Sequence, residues 1–298
     1  MTALTDPAAI RDLLERHGFH FSRSLGQNFL TDASVPLRIA DALGADESCA
    51  VLEVGPGIGC LTEQLALRAG KVLSVEKDRS LEPILRETLA GFSNAEVLYA
   101  DILKQDLRSL AGERLDWPTR LFCANLPYNI TTPILTKVLE SGLFDRTVVM
   151  IQREVAERLC ASPGGKEYGA FSLLVQWYAQ PELLFTVPPH AFVPQPKVTS
   201  AVVRLTRRRE APFPVKDEAL FFRTVRAAFG QRRKTLVNAL AAGFPELGRD
   251  GCRAAAEKSG IDPNCRGEVL DLAGFASLSD GLSDALREPS PGPIAPGL

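Results

Sequence analysis

Val51-Leu52-Glu53-Val54, running into Gly55-Pro56-Gly57-Ile58-Gly59 and then the helical pattern Leu61-Thr62-Glu63-Gln64-Leu65-Ala66, decides the fold. It reads as a buried strand, a glycine-rich turn and a helix. Glycine at Gly55 and Gly57 lets the backbone approach a ligand closely. The spacing is G-x-G-x-G, not the G-x-G-x-x-G that seats a dinucleotide pyrophosphate on a helix N-terminus, so nicotinamide or flavin binding is disfavoured. Further along, Lys71-Val72-Leu73-Ser74-Val75 reads as a second buried strand ending on Glu76. A carboxylate about twenty residues past the first glycine can accept both hydroxyls of a ribose. Ala95-Glu96-Val97-Leu98-Tyr99-Ala100 reads as a third strand ending on Asp101, and Leu121-Phe122-Cys123-Ala124 as a fourth ending on Asn125. Either acid alone reads equally well as a solvated turn or a helix cap. In an open parallel sheet, however, the carboxyl ends of the strands line one crevice, so Gly, Glu, Asp and Asn at four strand ends converge on one ligand.

The turn Asn125-Leu126-Pro127-Tyr128 narrows the chemistry. An Asn side-chain oxygen, with the Leu126 or Pro127 carbonyl held outward by the Pro kink, can accept the two N–H bonds of an exocyclic amine while Tyr128 stacks on the ring. The amine nitrogen then faces a methyl donor in the crevice. An ordinary turn after a strand is the competing reading of the same four residues.

Strands and helices alternate to about Gln152, with Thr147-Val148-Val149-Met150-Ile151 as a fifth strand, which predicts a doubly wound sheet. Leu183-Leu184-Phe185-Thr186-Val187 and Thr199-Ser200-Ala201-Val202-Val203-Arg204-Leu205 read as two more strands, antiparallel additions to the sheet edge joined by a Pro-rich loop. Ala170–Tyr178 fits a buried helix or a strand equally well. Pro212 and Pro214 mark a linker, after which 220–229, 235–240 and 253–257 have helical periodicity. The expected division is a sheet domain over 1–208, a small helical domain over 209–285, and a Pro- and Gly-rich tail over 286–298 too polar to order itself.

The chain has 298 residues, 45% of them hydrophobic, enough for a large core. No apolar stretch approaches the roughly 18 residues of a membrane span, and Met1–Asp6 lacks the pattern of a signal peptide, so a cytoplasmic protein without a membrane partner is expected. The six cysteines form no Cys-x-x-Cys pair, which favours buried thiols over a metal site or disulfides. A net charge of −2 argues against nucleic acid. The distribution argues for it: between Arg204 and Lys234 ten basic residues face Glu210, Asp217 and Glu218. Such a run is either a solvated face or a phosphate grip.

Several segments together resemble one family, the small-subunit (16S) ribosomal RNA adenine N6,N6-dimethyltransferases. They are Leu25-Gly26-Gln27-Asn28-Phe29-Leu30, the stretch Glu53–Thr62, Glu76, Asp101, Asn125–Thr131, Phe192-Val193-Pro194-Gln195-Pro196-Lys197-Val198 and Phe229–Leu236. The resemblance implies a Rossmann-like S-adenosylmethionine-dependent methyltransferase sheet with a small C-terminal helical domain. It implies S-adenosylmethionine contacts from Asn28, Leu30, Gly55, Gly57, Glu76, Asp101 and Asn125. Tyr128 and Phe192 would stack on the two faces of the target base, and Arg232, Arg233 and Lys234 would grip RNA. Asn28 also reads as a capping or turn residue, and Phe192 as a core residue. The implied substrate is a pair of adjacent adenosines in the 3′-terminal hairpin loop of small-subunit rRNA within a pre-ribosomal particle, acted on by a monomer without metal. The alternatives are a large-subunit rRNA adenine methyltransferase of the antibiotic-resistance type, a DNA adenine methyltransferase, and a mainly RNA-binding assembly factor.

Overall fold

The computed structural model describes residues 4–21 and 26–287. They form two compact units, one built from the chain up to Cys160 together with Tyr178–Arg208, the other from Ala161–Trp177 together with the chain from Arg209. The division expected at 208/209 therefore leaves out one element, because Ala161–Trp177 clusters with the second unit.

In the first unit α1 (Pro7–Arg16), β1 (Phe29–Leu30) and α2 (Ser34–Leu43) precede the alternating core. That core runs β2 (Cys49–Val54), α3 (Cys60–Ala66), β3 (Lys71–Glu76), α4 (Glu82–Thr88), β4 (Ala95–Tyr99), α5 (Leu107–Arg114), β5 (Thr119–Asn125), α6 (Thr131–Ser141), β6 (Arg146–Gln152) and α7 (Arg153–Leu159). After an excursion into the second unit come β7 (Ala179–Val187), β8 (Phe192–Val193) and β9 (Ser200–Arg207). Seven strands make one sheet in the order β4-β3-β2-β5-β6-β9-β7. The first five are parallel, while β9 runs antiparallel to both β6 and β7, with a register shift between Leu183 and Phe185. All six residues of β2 are buried, the pattern of a strand covered on both faces by helices. The order reverses between β2 and β5, and this switch point brings the carboxyl ends of β2, β3, β4 and β5 beside one crevice.

A second, two-stranded ladder was not expected. Phe29 and Leu30 pair antiparallel with Val193 and Phe192, and Thr31 N–H donates to the Ala191 carbonyl at 2.8 Å. Two-residue strands carry no periodicity, so nothing in the sequence marks them.

The second unit is helical: α8 (Ala170–Tyr178, all but its last residue), α9 (Glu218–Gly230), α10 (Leu236–Gly243), α11 (Gly248–Lys258) and α12 (Leu272–Arg287). The ambiguous run at Ala170–Tyr178 is a helix; Trp177 stacks on Phe221 at 4.2 Å between ring centroids, and the Tyr168 hydroxyl donates to the Leu270 carbonyl at 2.9 Å. Asp217 caps α9 by accepting the Leu220 N–H. Leu286 and Arg287, assigned above to the tail, close α12 instead; the rest of that tail, 288–298, lies outside the described residues. Among the described residues no helix is long and apolar enough to cross a membrane.

Candidate active site

At the carboxyl ends of β2, β3, β4 and β5 an open cleft is lined by Gly26, Asn28, Leu30, Gly55, Gly57, Cys60, Glu76, Lys77, Asp101 and Asn125–Tyr128, among others. All the residues singled out for cofactor contact line it. Gly55 and Gly57 take φ of 71° and 60°, the left-handed region that L side chains avoid. A Cβ on Gly57 would stand 3.2 Å from the Phe29 ring, which would have to shift by a few tenths of an ångström, so the missing side chain lets the turn and the N-terminal loop pack closely. Gln27 ties the same loop down by donating to Asp78 at 2.5 Å. The Asn28 side chain donates to the Gly26 carbonyl at 2.9 Å; it is a turn residue that also faces the cleft.

The acids differ in environment. Glu76 is 7% exposed, and one oxygen accepts the Asp78 N–H at 2.7 Å. Burial pushes its carboxyl above the ordinary range, against the pull of backbone N–H donors. For Asp101, partial burial pushes upward but is outweighed by the Lys77 ammonium at 3.1 Å and the Leu103 N–H, so the carboxyl lies below its ordinary value. Lys77 was not anticipated; it follows Glu76 directly, but its partner lies on the next strand end.

Asn125 ends β5, and the Leu126 N–H donates to the Met150 carbonyl at 3.0 Å, which fixes the start of the turn. The Pro127 carbonyl already accepts from Ile130 N–H at 3.2 Å and Thr131 Oγ1 at 3.1 Å. Both contacts draw the Pro127 carbonyl into the turn, which favours Leu126 over Pro127 as the second acceptor. Tyr128 is half-buried and its hydroxyl is 2.7 Å from Ser200 Oγ on β9, a contact that fixes the ring plane and was not foreseen.

Phe192 departs from expectation. It is 2% exposed, packed with Leu30, Val187, Ala191 and Val202, and is not among the cleft residues. The β1–β8 pairing turns its ring into the core, so it offers no stacking face here.

In the second unit Arg232 donates to the Lys166 carbonyl at 2.7 Å and the Tyr168 carbonyl at 3.2 Å and faces Glu268, so it braces its own unit. Arg233 and Lys234 are exposed and, among the described residues, have no ion-pair partner. Others in the basic run are engaged: Arg204 with Glu182, Arg207 with Asp145, Lys216 with Asp284 and Arg223 with Glu246.

A family model of ribosomal RNA adenine dimethylases matches residues 18–280. The chain belongs to the ribosomal RNA adenine dimethylase family. A curated member named ribosomal RNA small subunit methyltransferase A, from Geobacillus thermodenitrificans, is 46% identical over 288 residues, covering 95% of this chain and 98% of that protein. Among solved structures, a dimethyladenosine transferase from Plasmodium falciparum superposes with a TM-score of 0.72 at 25% identity, over 84% of this chain and 95% of that one. The 23S rRNA methyltransferase ErmE gives 0.64 at 28% identity, over 86% and 99%. The dimethylase family thus accounts for a methyltransferase fold and activity in nearly the whole chain.

Proposed function

We propose that the chain transfers methyl groups from S-adenosylmethionine to the N6 amines of two adjacent adenosines in the 3′-terminal hairpin loop of small-subunit rRNA, acting in the cytoplasm as a monomer on a pre-ribosomal particle. The observation that carries this reading is the Asn125–Tyr128 turn standing over the same cleft as Gly55, Glu76 and Asp101. The residues suit the donor: a buried carboxyl at Glu76, with no cationic partner among the described residues, can accept ribose hydroxyls, and the left-handed backbone at Gly55 and Gly57 lets the turn approach a ligand closely.

S-adenosylmethionine, when bound, supplies an electrophilic sulfonium methyl. The protein supplies geometry and charge placement. The Asn125 side-chain oxygen and the Leu126 carbonyl accept the two amine protons, which holds the nitrogen lone pair toward the donor and stabilises positive charge developing on the amine. Tyr128, fixed through Ser200, offers the stacking face. A paired base cannot reach such a site, which suits an unpaired or flipped nucleotide. Arg233 and Lys234 supply phosphate contacts, while Arg232 shapes their segment.

The test is incubation with labelled methyl donor and separated small and large ribosomal subunits lacking these methyl groups, followed by mapping of the label. Label on two adjacent adenosines near the small-subunit 3′ end is expected. Label in the large subunit would move the assignment to the ErmE-like reading, and particle binding without transfer would favour an assembly factor.

A further inference from the structure

Beneath the glycine turn lies a carboxyl that this chemistry leaves unused. Glu53, in the middle of the sheet on β2, is 1% exposed. Its Oε2 accepts from Thr62 Oγ1 at 2.7 Å and Ser74 Oγ at 2.6 Å, while Oε1 is buried without a partner. Level with it are Ser74 on β3 and Cys123 on β5. Helix α3 brings Cys60, Thr62 and Glu63, and β3 brings Glu76 at its end. Among these groups there is no cation. The Cys60 and Cys123 thiols are pushed up by burial, Cys60 to about 12, and stay neutral. Glu76 acts on Glu53 as a like charge.

A buried carboxylate without a counter-ion and with one oxygen lacking a donor is unfavourable. Burial pushes Glu53 up to about 7, against the pull of Ser74 and Thr62, and Glu76 pushes the same way. With no cation beside it, Glu53 therefore holds a proton for part of the time at neutral pH. Val54, the next residue, and Cys60 both line the cleft, so a ligand charge there acts on Glu53 through little more than the turn. A methyl donor of the sulfonium class is a cation at the reacting atom; its demethylated product is a neutral thioether.

Resting on the reading of the cleft as a S-adenosylmethionine site, we infer that Glu53 is a positioning residue that gives up its proton when the sulfonium donor binds and keeps it when the thioether product binds, so that donor is favoured over product. The step balances simply: the proton on the carboxyl goes to solvent, its electron pair stays on Glu53, and no covalent bond forms with the ligand. The ionised carboxylate then serves as counter-ion to the sulfonium through the low-dielectric floor of the cleft. Glu76 also shifts toward its ionised form when ribose hydroxyls donate to it, but both ligands carry that ribose, so its share is common to both. Asp101, already paired with Lys77, is ionised throughout.

Calorimetry on the full chain, with S-adenosylmethionine and S-adenosylhomocysteine in buffers of different ionisation enthalpy, counts the protons released. More protons should leave with donor than with product near pH 7, and donor Kd should fall several-fold between about pH 6 and pH 8, bounded by tenfold per pH unit, while product Kd changes less. Glu53→Gln should abolish the difference between the ligands. If that variant does not fold, Thr62→Val, which removes one donor to the carboxylate, should move the pH dependence of donor binding upward. Equal proton counts for the two ligands in the wild-type chain, or a pH dependence unmoved in Thr62→Val, would overturn the inference while leaving the donor site standing. Failure of either ligand to bind would overturn that site and this inference with it.

Discussion

Replacing Glu53 with Gln should stabilise the ligand-free first unit at neutral pH and not at acid pH. The carboxyl rises from 4.5 to about 7 in the folded chain, and the group is fully buried, so solvent screening does not discount the effect. The sign follows from proton binding. Between pH 4.5 and 7 the folded state holds the Glu53 proton and the unfolded state has lost it, so this group's contribution to stability declines as pH rises through that window and is level above it. At about 1.4 kcal/mol per pKa unit, the destabilisation at neutral pH is about 3 kcal/mol. Gln keeps the shape and cannot ionise. It adds donors that only the Thr62 and Ser74 hydroxyl oxygens can accept, which costs about 1 kcal/mol and leaves a net gain of about 2 kcal/mol. Hydrogen exchange of β2 and β3 amides, compared between wild type and variant across pH 4.5 to 7.5, measures the opening free energy of this unit and cancels the titration of groups that do not interact with Glu53. At the acid end the variant should lie about 1 kcal/mol below wild type, and the two profiles should cross and diverge toward neutrality. Parallel profiles would refute the reasoning, because they would mean that Glu53 is ionised across the window.

Asn125→Ala should lower kcat for methyl transfer about a hundredfold, on the order of 3 kcal/mol for one preorganised acceptor, with donor affinity mostly kept; single-turnover kinetics would show it. Glu76→Ala should raise the S-adenosylmethionine Kd roughly tenfold to a hundredfold by calorimetry, and an unchanged Kd would reduce Glu76 to a strand-end acid. Arg233→Ala with Lys234→Ala should weaken binding to the ribosomal particle and flatten the slope of log affinity against log salt by up to about one unit per lost contact. Arg232→Ala should instead lower the stability of the helical unit, measured by thermal unfolding, since its guanidinium holds the Lys166 and Tyr168 carbonyls.

The seven strands of the main sheet were legible because each contains a short stretch rich in apolar and β-branched residues, and Gly55 after β2, Glu76 at the end of β3 and Asn125 at the end of β5 mark the cleft. Asp101 was legible for the same reason, one turn past β4. The helix at Ala170–Tyr178 was not distinguishable, since a nearly continuous apolar run has no phase to read. Lys77, Ser200 and the Thr62–Glu53–Ser74 cluster were missed because each owes its role to a partner on another element. Counting charges likewise found the basic run but not the carboxylates that neutralise much of it, since Glu182, Asp145, Asp284, Glu246 and Glu268 all lie outside the stretch that was counted. Phe192 shows the converse: a Pro-braced aromatic was assigned to a ligand when a two-residue ladder commits it to the core.

That ladder joins parts of the chain with little else in common. The segment Gly26–Leu30 borders the cleft beside the glycine turn, and the segment that continues through Val193 into Lys197 borders Ser200, which holds Tyr128. Two backbone pairs splice them edge to edge, so a residue inserted into either segment would change the register of both. The loop beside the glycine turn and the loop that leads to the Tyr128 contact are one mechanical part, and their lengths have to be matched to each other.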